Sequence, residues 1–180
     1  MIRYSNTPYD TAKIVEKFDV DVHNWFLSKF ASFTPPQRMA IPLIDKGENL
    51  LISSPTGSGK TLTAFLSIIN HLYRLAKNHK LQNKTYCVYI SPLKALARDI
   101  EKNLETPLQE IYEVARERVG QEIRENNVNE LTDIEELLPQ EIRVGMRTGD
   151  TTAQAKQKMT RTAPHILITT PESLSIGLST

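Results

Sequence analysis

The stretch Ser54-Pro55-Thr56-Gly57-Ser58-Gly59-Lys60-Thr61, set directly after the apolar run Leu50-Leu51-Ile52, is a phosphate-binding loop. It ties the chain to a strand-loop-helix unit built around a nucleoside triphosphate. Small residues let the backbone bend tightly, so that successive N–H groups point inward at an anion with the positive end of the following helix behind them. Pro55, Thr56, Gly57, Ser58 and Gly59 form that cradle, Lys60 reaches for the β- and γ-phosphates, and Thr61 carries the hydroxyl that such a loop gives to Mg²⁺. The full template asks for Gly where Ser54 stands, which is a departure. The required context is expected on both sides. Leu50 to Ile52 reads as a short buried strand, and Leu62, Phe65, Leu66, Ile69, Leu72 and Tyr73 recur at helical spacing. An ordinary Gly-Ser turn would leave Gly59-Lys60-Thr61 at a helix start without a reason.

With 180 residues, 39% of them hydrophobic, the chain suits one domain with one core. A formal charge of +1 provides no overall attraction for nucleic acid, so any such binding has to come from a locally organised surface. The single cysteine, Cys87, lies in the apolar run Tyr86 to Ile90 and reads as a small buried hydrophobe in a reducing compartment. His23, His71, His79 and His165 are scattered without ligand spacing, which argues against a metal site built on histidine. No charged-then-apolar leader and no apolar run near 18 residues is present, so a cytoplasmic location without a membrane partner is expected.

Three further unalternating apolar runs read as buried strands: Tyr86-Cys87-Val88-Tyr89-Ile90, Ile142-Arg143-Val144-Gly145-Met146 and Ile166-Leu167-Ile168-Thr169. Each is followed by a helical candidate. The pattern predicts an α/β fold with a mainly parallel sheet covered by helices on both faces, and ligands at the carboxyl ends of the strands. Residues 94 to 118 are expected as a helix interrupted at Pro107. Residues 118 to 140 form a polar, acid-rich connector with an apolar patch at Ile134, Leu137 and Leu138. Trp25, Phe26, Phe30 and Phe33 are expected to pack a helical hairpin onto the sheet, and Pro42 to bend or shorten the helix running from Pro36 to Lys46. Phe18 and Phe30 read as core aromatics, with adenine stacking open to either.

The neighbourhood of the loop narrows the chemistry. Ahead of it lies Phe33-Thr34-Pro35-Pro36-Gln37-Arg38, where the amide of Gln37 complements the exposed N6 and N7 edge of adenine and so favours ATP over GTP. After the second strand comes Ser91-Pro92-Leu93-Lys94-Ala95-Leu96-Ala97-Arg98-Asp99. Pro92 is placed to start a helix whose free N–H groups, with Lys94 and Arg98, suit a nucleic-acid phosphate. Arg147-Thr148-Gly149-Asp150-Thr151 follows the third strand, and Thr170-Pro171-Glu172-Ser173-Leu174 the fourth. Asp150 is the odd member, because a carboxylate repels phosphate; it is expected to accept backbone N–H groups or meet a sugar hydroxyl.

Together these segments resemble the first motor domain of superfamily 2 helicases, in wording most similar to the Lhr-type (large helicase-related) branch. Thr34 to Arg38 resembles the adenine-reading Q motif, Ser53 to Thr61 motif I, Ser91 to Asp99 motif Ia and Thr170 to Leu174 motif Ib. The resemblance implies a RecA-like three-layer fold over 33–180 preceded by a helical extension over 1–32. It also implies an ATP- and Mg²⁺-dependent motor acting on single-stranded nucleic acid or a duplex with a single-stranded tail. Lys60 and Thr61 would be catalytic; Gln37, Arg38 and residues 55 to 61 would hold the nucleotide. Pro92, Leu93, Lys94, Arg98, Gly149, Asp150, Thr170, Pro171 and Glu172 would hold the strand, mainly by phosphate and sugar.

The family's acidic motif II and its second motor domain, an expected partner within one full-length chain, have no counterpart in these 180 residues. Asp133, Glu135 and Glu136 fall before the third strand and do not serve. An N-terminal piece of a longer helicase is therefore expected, inactive by itself because phosphoryl transfer depends on positioning and charge stabilisation. Two other classes stay open at this point: a different P-loop NTPase, which leaves Gln37 unexplained, and a noncatalytic binding module, which leaves Lys60 and Thr61 unexplained. Strand affinity that weakens as salt rises separates a backbone binder from a protein-binding module.

Overall fold

The computed structural model describes residues 4–5, 7–125 and 134–178. Its elements run α1 (Thr11–Val15), α2 (Val20–Lys29), α3 (Pro35–Ile44), α4 (Lys60–Lys77), β1 (Cys87–Ile90), α5 (Lys94–Glu125), α6 (Ile134–Leu137), β2 (Val144–Arg147), α7 (Ala153–Arg161), β3 (Ile166–Thr169) and α8 (Pro171–Leu178). The chain divides into two compact units, Met1–Arg74 and Leu75–Thr180.

In the first unit, side-chain caps place the helices. Asp10 accepts the N–H of Ala12 at the start of α1, and Asp19 that of Asp21 at the start of α2. Thr34 and Gln37 form the capping box of α3, with Gln37 Oε1 accepting the Thr34 N–H at 2.8 Å. Phe18, Trp25, Phe26 and Phe33 are buried, and the Phe26 and Phe33 rings stack with centroids 4.2 Å apart. Phe18 meets Phe33 edge-on, while Phe30 lies against Trp25 and Phe26 at the surface. The apolar stripe expected after the loop is in place: Phe65, Leu66, Ile69, Leu72 and Tyr73 of α4 are all buried, with Leu62 half-buried. Asn70 of α4 binds the entrance of α2 from both sides, accepting the Asp19 N–H at 2.8 Å and donating to the Lys17 carbonyl at 3.0 Å. Tyr73 donates to the buried Asp21 carboxylate at 2.8 Å. The helix through Pro42 continues past it and stops at Ile44.

The second unit is built on three parallel strands in the order β1-β3-β2. β3 is central, with Ile166 and Ile168 fully buried. Its register sets Ile90 and Arg147 on either side of Thr169, so all three strands end level. α5 packs on β2 and β3.

Three expectations are corrected. Leu50 to Ile52 does not form a strand, and Leu51 is 95% exposed. A short apolar run holds strand geometry only when neighbours take up its backbone groups. Second, α5 is one continuous 32-residue helix that includes Pro107 and extends to Glu125, into the stretch expected as connector. Ala97, Ile100 and Leu104 before the proline and Ile111, Ala115 and Val119 after it keep one buried stripe in phase, so packing overrides the lost N–H. Third, α5 begins at Lys94, which leaves Pro92 two residues ahead of the helix. Pro171, by contrast, is the first residue of α8 as expected. Of the acid-rich patch, Asp133 and the side chains of Ile134 and Glu135 lie outside the described residues, Leu138 is buried and Leu137 is exposed.

Candidate functional site

The phosphate loop occupies the turn into α4. Gly57 and Gly59 adopt φ values of 79° and 83°, in the left-handed region that a side chain makes costly. Gly59 is doubly fixed, because a Cβ there would stand 2.9 Å from Gln37 Nε2. The cradle and the segment ahead of it thus meet through one amide. Gln37 is 2% exposed; its Oε1 caps α3 while its Nε2 lies against the loop. Thr34 adds a second link, its hydroxyl donating to the Ser58 carbonyl at 3.0 Å. Sequence reasoning placed Thr34 only as a neighbour of Gln37, although a Thr with Gln three residues on is a readable capping signature.

Lys60 extends back along the loop, its ammonium donating to the carbonyls of Ser54 and Pro55. The Ser54 and Ser58 hydroxyls share a hydrogen bond at 2.6 Å, so the residue that departs from the template closes the loop on itself. Thr61 is exposed at the head of α4, and Thr63 accompanies it with a hydroxyl donating to Gly59 O at 2.9 Å. Arg38 faces elsewhere: its Nε donates to the Tyr9 carbonyl at 2.9 Å while its own carbonyl accepts the Tyr9 N–H, a clamp on the N-terminal segment. Two left-handed glycines at a helix start, an ammonium and an exposed hydroxyl make a donor set of the kind that fits a triphosphate with its cation.

At the carboxyl end of the sheet the three predicted turns stand on one rim. Ser91, following β1, donates its N–H to Thr169 O at 2.8 Å, and the Thr169 hydroxyl donates to Arg147 O at 2.7 Å. Thr148 to Thr151 form a tight turn in which the Thr151 hydroxyl accepts the Thr148 N–H at 2.8 Å. Thr170, 3% exposed, donates its hydroxyl to Ser173 at 3.2 Å at the start of α8. Pro92, Leu93, Lys94, Arg98, Gly149, Asp150, Pro171 and Glu172 are all exposed on this side.

Asp150 has a partner that the sequence did not suggest. Its carboxylate accepts the Lys94 ammonium at 2.8 Å, across 56 residues, in place of the expected backbone N–H groups. Lys94 and, more weakly, Arg98 hold the Asp150 carboxyl below the usual carboxylate range. Glu172 is also lowered, first by the N–H at its own helix start, then by the Thr170 hydroxyl, with a contribution from Lys94. Two cations therefore face two carboxylates on the rim. Among the described residues no cluster of three metal-ligating side chains occurs, and no helix is long and apolar enough to cross a membrane.

Residues 34–179 match the protein-family profile described as DEAD/DEAH box helicase. The chain is 51% identical over 179 residues to "ATP-dependent helicase Lhr-Core protein 2" of Thermococcus barophilus, covering 99% of this chain and 19% of that protein. It is 48% identical over 178 residues to "ATP-dependent helicase Lhr-Core" of Methanocaldococcus jannaschii, with the same two coverages. Among solved structures, Mycobacterium smegmatis helicase Lhr bound to ssDNA and AMP-PNP superposes with a TM-score of 0.73 at 39% identity, covering 93% of this chain and 18% of that one. Mss116p, bound to ssRNA and AMP-PNP, shares the fold at a TM-score of 0.68 and 21% identity, with 98% and 31% covered. The chain thus spans about a fifth of the length of the Lhr-Core relatives.

Proposed function

The chain belongs to the DEAD/DEAH box helicase family, and on that premise we propose that it forms the ATP-binding and strand-gripping portion of an Lhr-type motor that moves on single-stranded nucleic acid. Binding of ssDNA and AMP-PNP by the M. smegmatis protein supports this reading. The observation that carries it is the common rim: β1, β2 and β3 end level and their ends are tied through Thr169, so the three turns that follow start from one edge, where parallel sheets present ligands.

Thr56 to Gly59 surround the phosphates with N–H groups, and Lys60 exchanges its bonds to Ser54 O and Pro55 O for the β- and γ-phosphates. The Thr61 hydroxyl would hold Mg²⁺, which when bound would offset charge on those phosphates. Gln37 reads adenine, with its side chain already fixed against the cradle at Gly59. Arg38 supports this from behind, anchoring Tyr9. Lys94, Arg98, Gly149, Thr170 and Pro171, flanked by Pro92, Leu93, Asp150 and Glu172, follow the strand backbone. Their contacts to phosphate and sugar tolerate any base sequence. The carboxylates that orient the attacking water and the second motor domain are expected from the full-length protein, outside this stretch.

Lys60→Ala is expected to abolish nucleotide binding, and Gln37→Ala to narrow the preference for ATP over GTP. Titration calorimetry with both nucleotides measures each effect. Retained ATP affinity in Lys60→Ala would remove the cradle from the site.

A further inference from the structure

Lys94 is one of the two exposed rim cations assigned above to the strand, yet its ammonium is taken at 2.8 Å by Asp150. The bond is structurally specific. Gly149 brings bare backbone beneath the lysine, with Nζ 3.6 Å from where a Cβ would sit, and the Thr148–Thr151 turn holds Asp150 at that height. Both side chains remain open to water, 51% and 64% exposed, so neither is locked in by burial. Glu172 stands within electrostatic reach of the same ammonium, and Arg98 within reach of Asp150. An exposed ion pair is weak and readily exchanged, and a phosphate oxygen accepts from an ammonium in the same distance range as a carboxylate.

We infer that Asp150 is a resident stand-in for a strand phosphate: it occupies the Lys94 ammonium until a nucleotide unit displaces it, so that the rim engages its strand by exchange of anions. This rests on the strand-binding reading above. Exchange has a consequence that simple attraction lacks. When a phosphate takes Lys94, the released Asp150 carboxylate is left beside the strand and draws a cation from solution, cancelling part of the counterion release that favours binding. Grip at this point is weakened on purpose of position rather than by lack of charge. A motor that must let go of each phosphate benefits, because the displaced carboxylate is ready to retake the lysine as the strand moves on.

The test is single-strand affinity against salt concentration in the full-length protein that the gene encodes, comparing wild type, Asp150→Asn, Lys94→Ala and the double variant. Asp150→Asn is expected to bind a labelled oligonucleotide about 3- to 10-fold more tightly at low salt. Its log–log salt slope should steepen by about 0.7, the release expected for one phosphate on a single strand. Lys94→Ala is expected to weaken binding and flatten the slope by a similar amount. In that background Asp150→Asn should have little further effect. Asp150→Ser, which also removes the charge, guards against an effect peculiar to the amide and should behave like Asn. Unchanged or weaker binding in Asp150→Asn and Asp150→Ser, or an equal gain with and without Lys94, would overturn the exchange. If Lys94→Ala itself leaves affinity and slope untouched, the strand-binding reading of the rim fails as well.

Discussion

At the scale of single residues, the proposed nucleotide site depends on what is absent from Gly59. Its φ of 83° disfavours any side chain, and an added methyl would press on the Gln37 amide at 2.9 Å. Gln37 is buried and holds the α3 cap, so it has no room to retreat. Gly59→Ala is therefore expected to lose at least about 10-fold in nucleotide affinity, the equivalent of about 1.4 kcal/mol, together with some thermal stability. Gly57→Ala separates the two causes: it has a similar φ of 79° but meets nothing within 4 Å. Calorimetry on both variants checks this, and equal losses would show that backbone strain alone matters. Which residues compose the loop was legible from Gly57, Gly59, Lys60 and Thr61, because the chemistry is local. The bonds from Thr34 to Ser58 and from Asp150 to Lys94 were not legible. They depend on which distant atoms the fold brings into hydrogen-bond range, across 24 and 56 residues.

At the scale of elements, hydrophobic periodicity identified what packing then built. α4 buries the stripe its spacing announced, and the three sheet strands lie within a residue or two of the apolar runs that predicted them. The misread elements share a cause, since local rules lost to tertiary context. Leu50 to Ile52 has strand composition without forming a strand, whereas Pro107 has helix-breaking chemistry inside a helix whose buried stripe is continuous. The proline leaves a measurable mark. It forfeits a main-chain hydrogen bond in the interior of α5, so Pro107→Ala is expected to stabilise the protein by about 1–3 kcal/mol. Urea denaturation monitored by circular dichroism gives the answer, and a lowered midpoint would mean that the half-buried ring contributes packing that Ala cannot replace.

At the scale of the whole molecule, acid stability is expected to reflect His165, at the amino end of the sheet. Its Nδ1 accepts the Arg143 N–H at 3.1 Å and the ring is 1% exposed. Burial, and then the Arg143 charge, lower its pKa from the ordinary value near 6.5, with the Gln82 backbone and then Glu141 opposing. The folded state thus prefers neutral imidazole, while the unfolded chain takes up a proton from about pH 6.5 downward. Stability from this site is present above that pH and is lost as pH falls toward and through the depressed folded value. Unfolding free energy measured between pH 7.5 and 5 should decline, and His165→Asn, which keeps an acceptor for Arg143, should flatten the decline. An identical pH dependence in the variant would assign the loss to other groups. At the opposite rim, Thr169 lashes the sheet together: its carbonyl takes the Ser91 N–H and its hydroxyl reaches Arg147 O. On the strand-gripping reading proposed above, pull applied by a polymer to any one of the three loops is shared by its companions, and this end of the protein should move as a single jaw rather than as separate fingers.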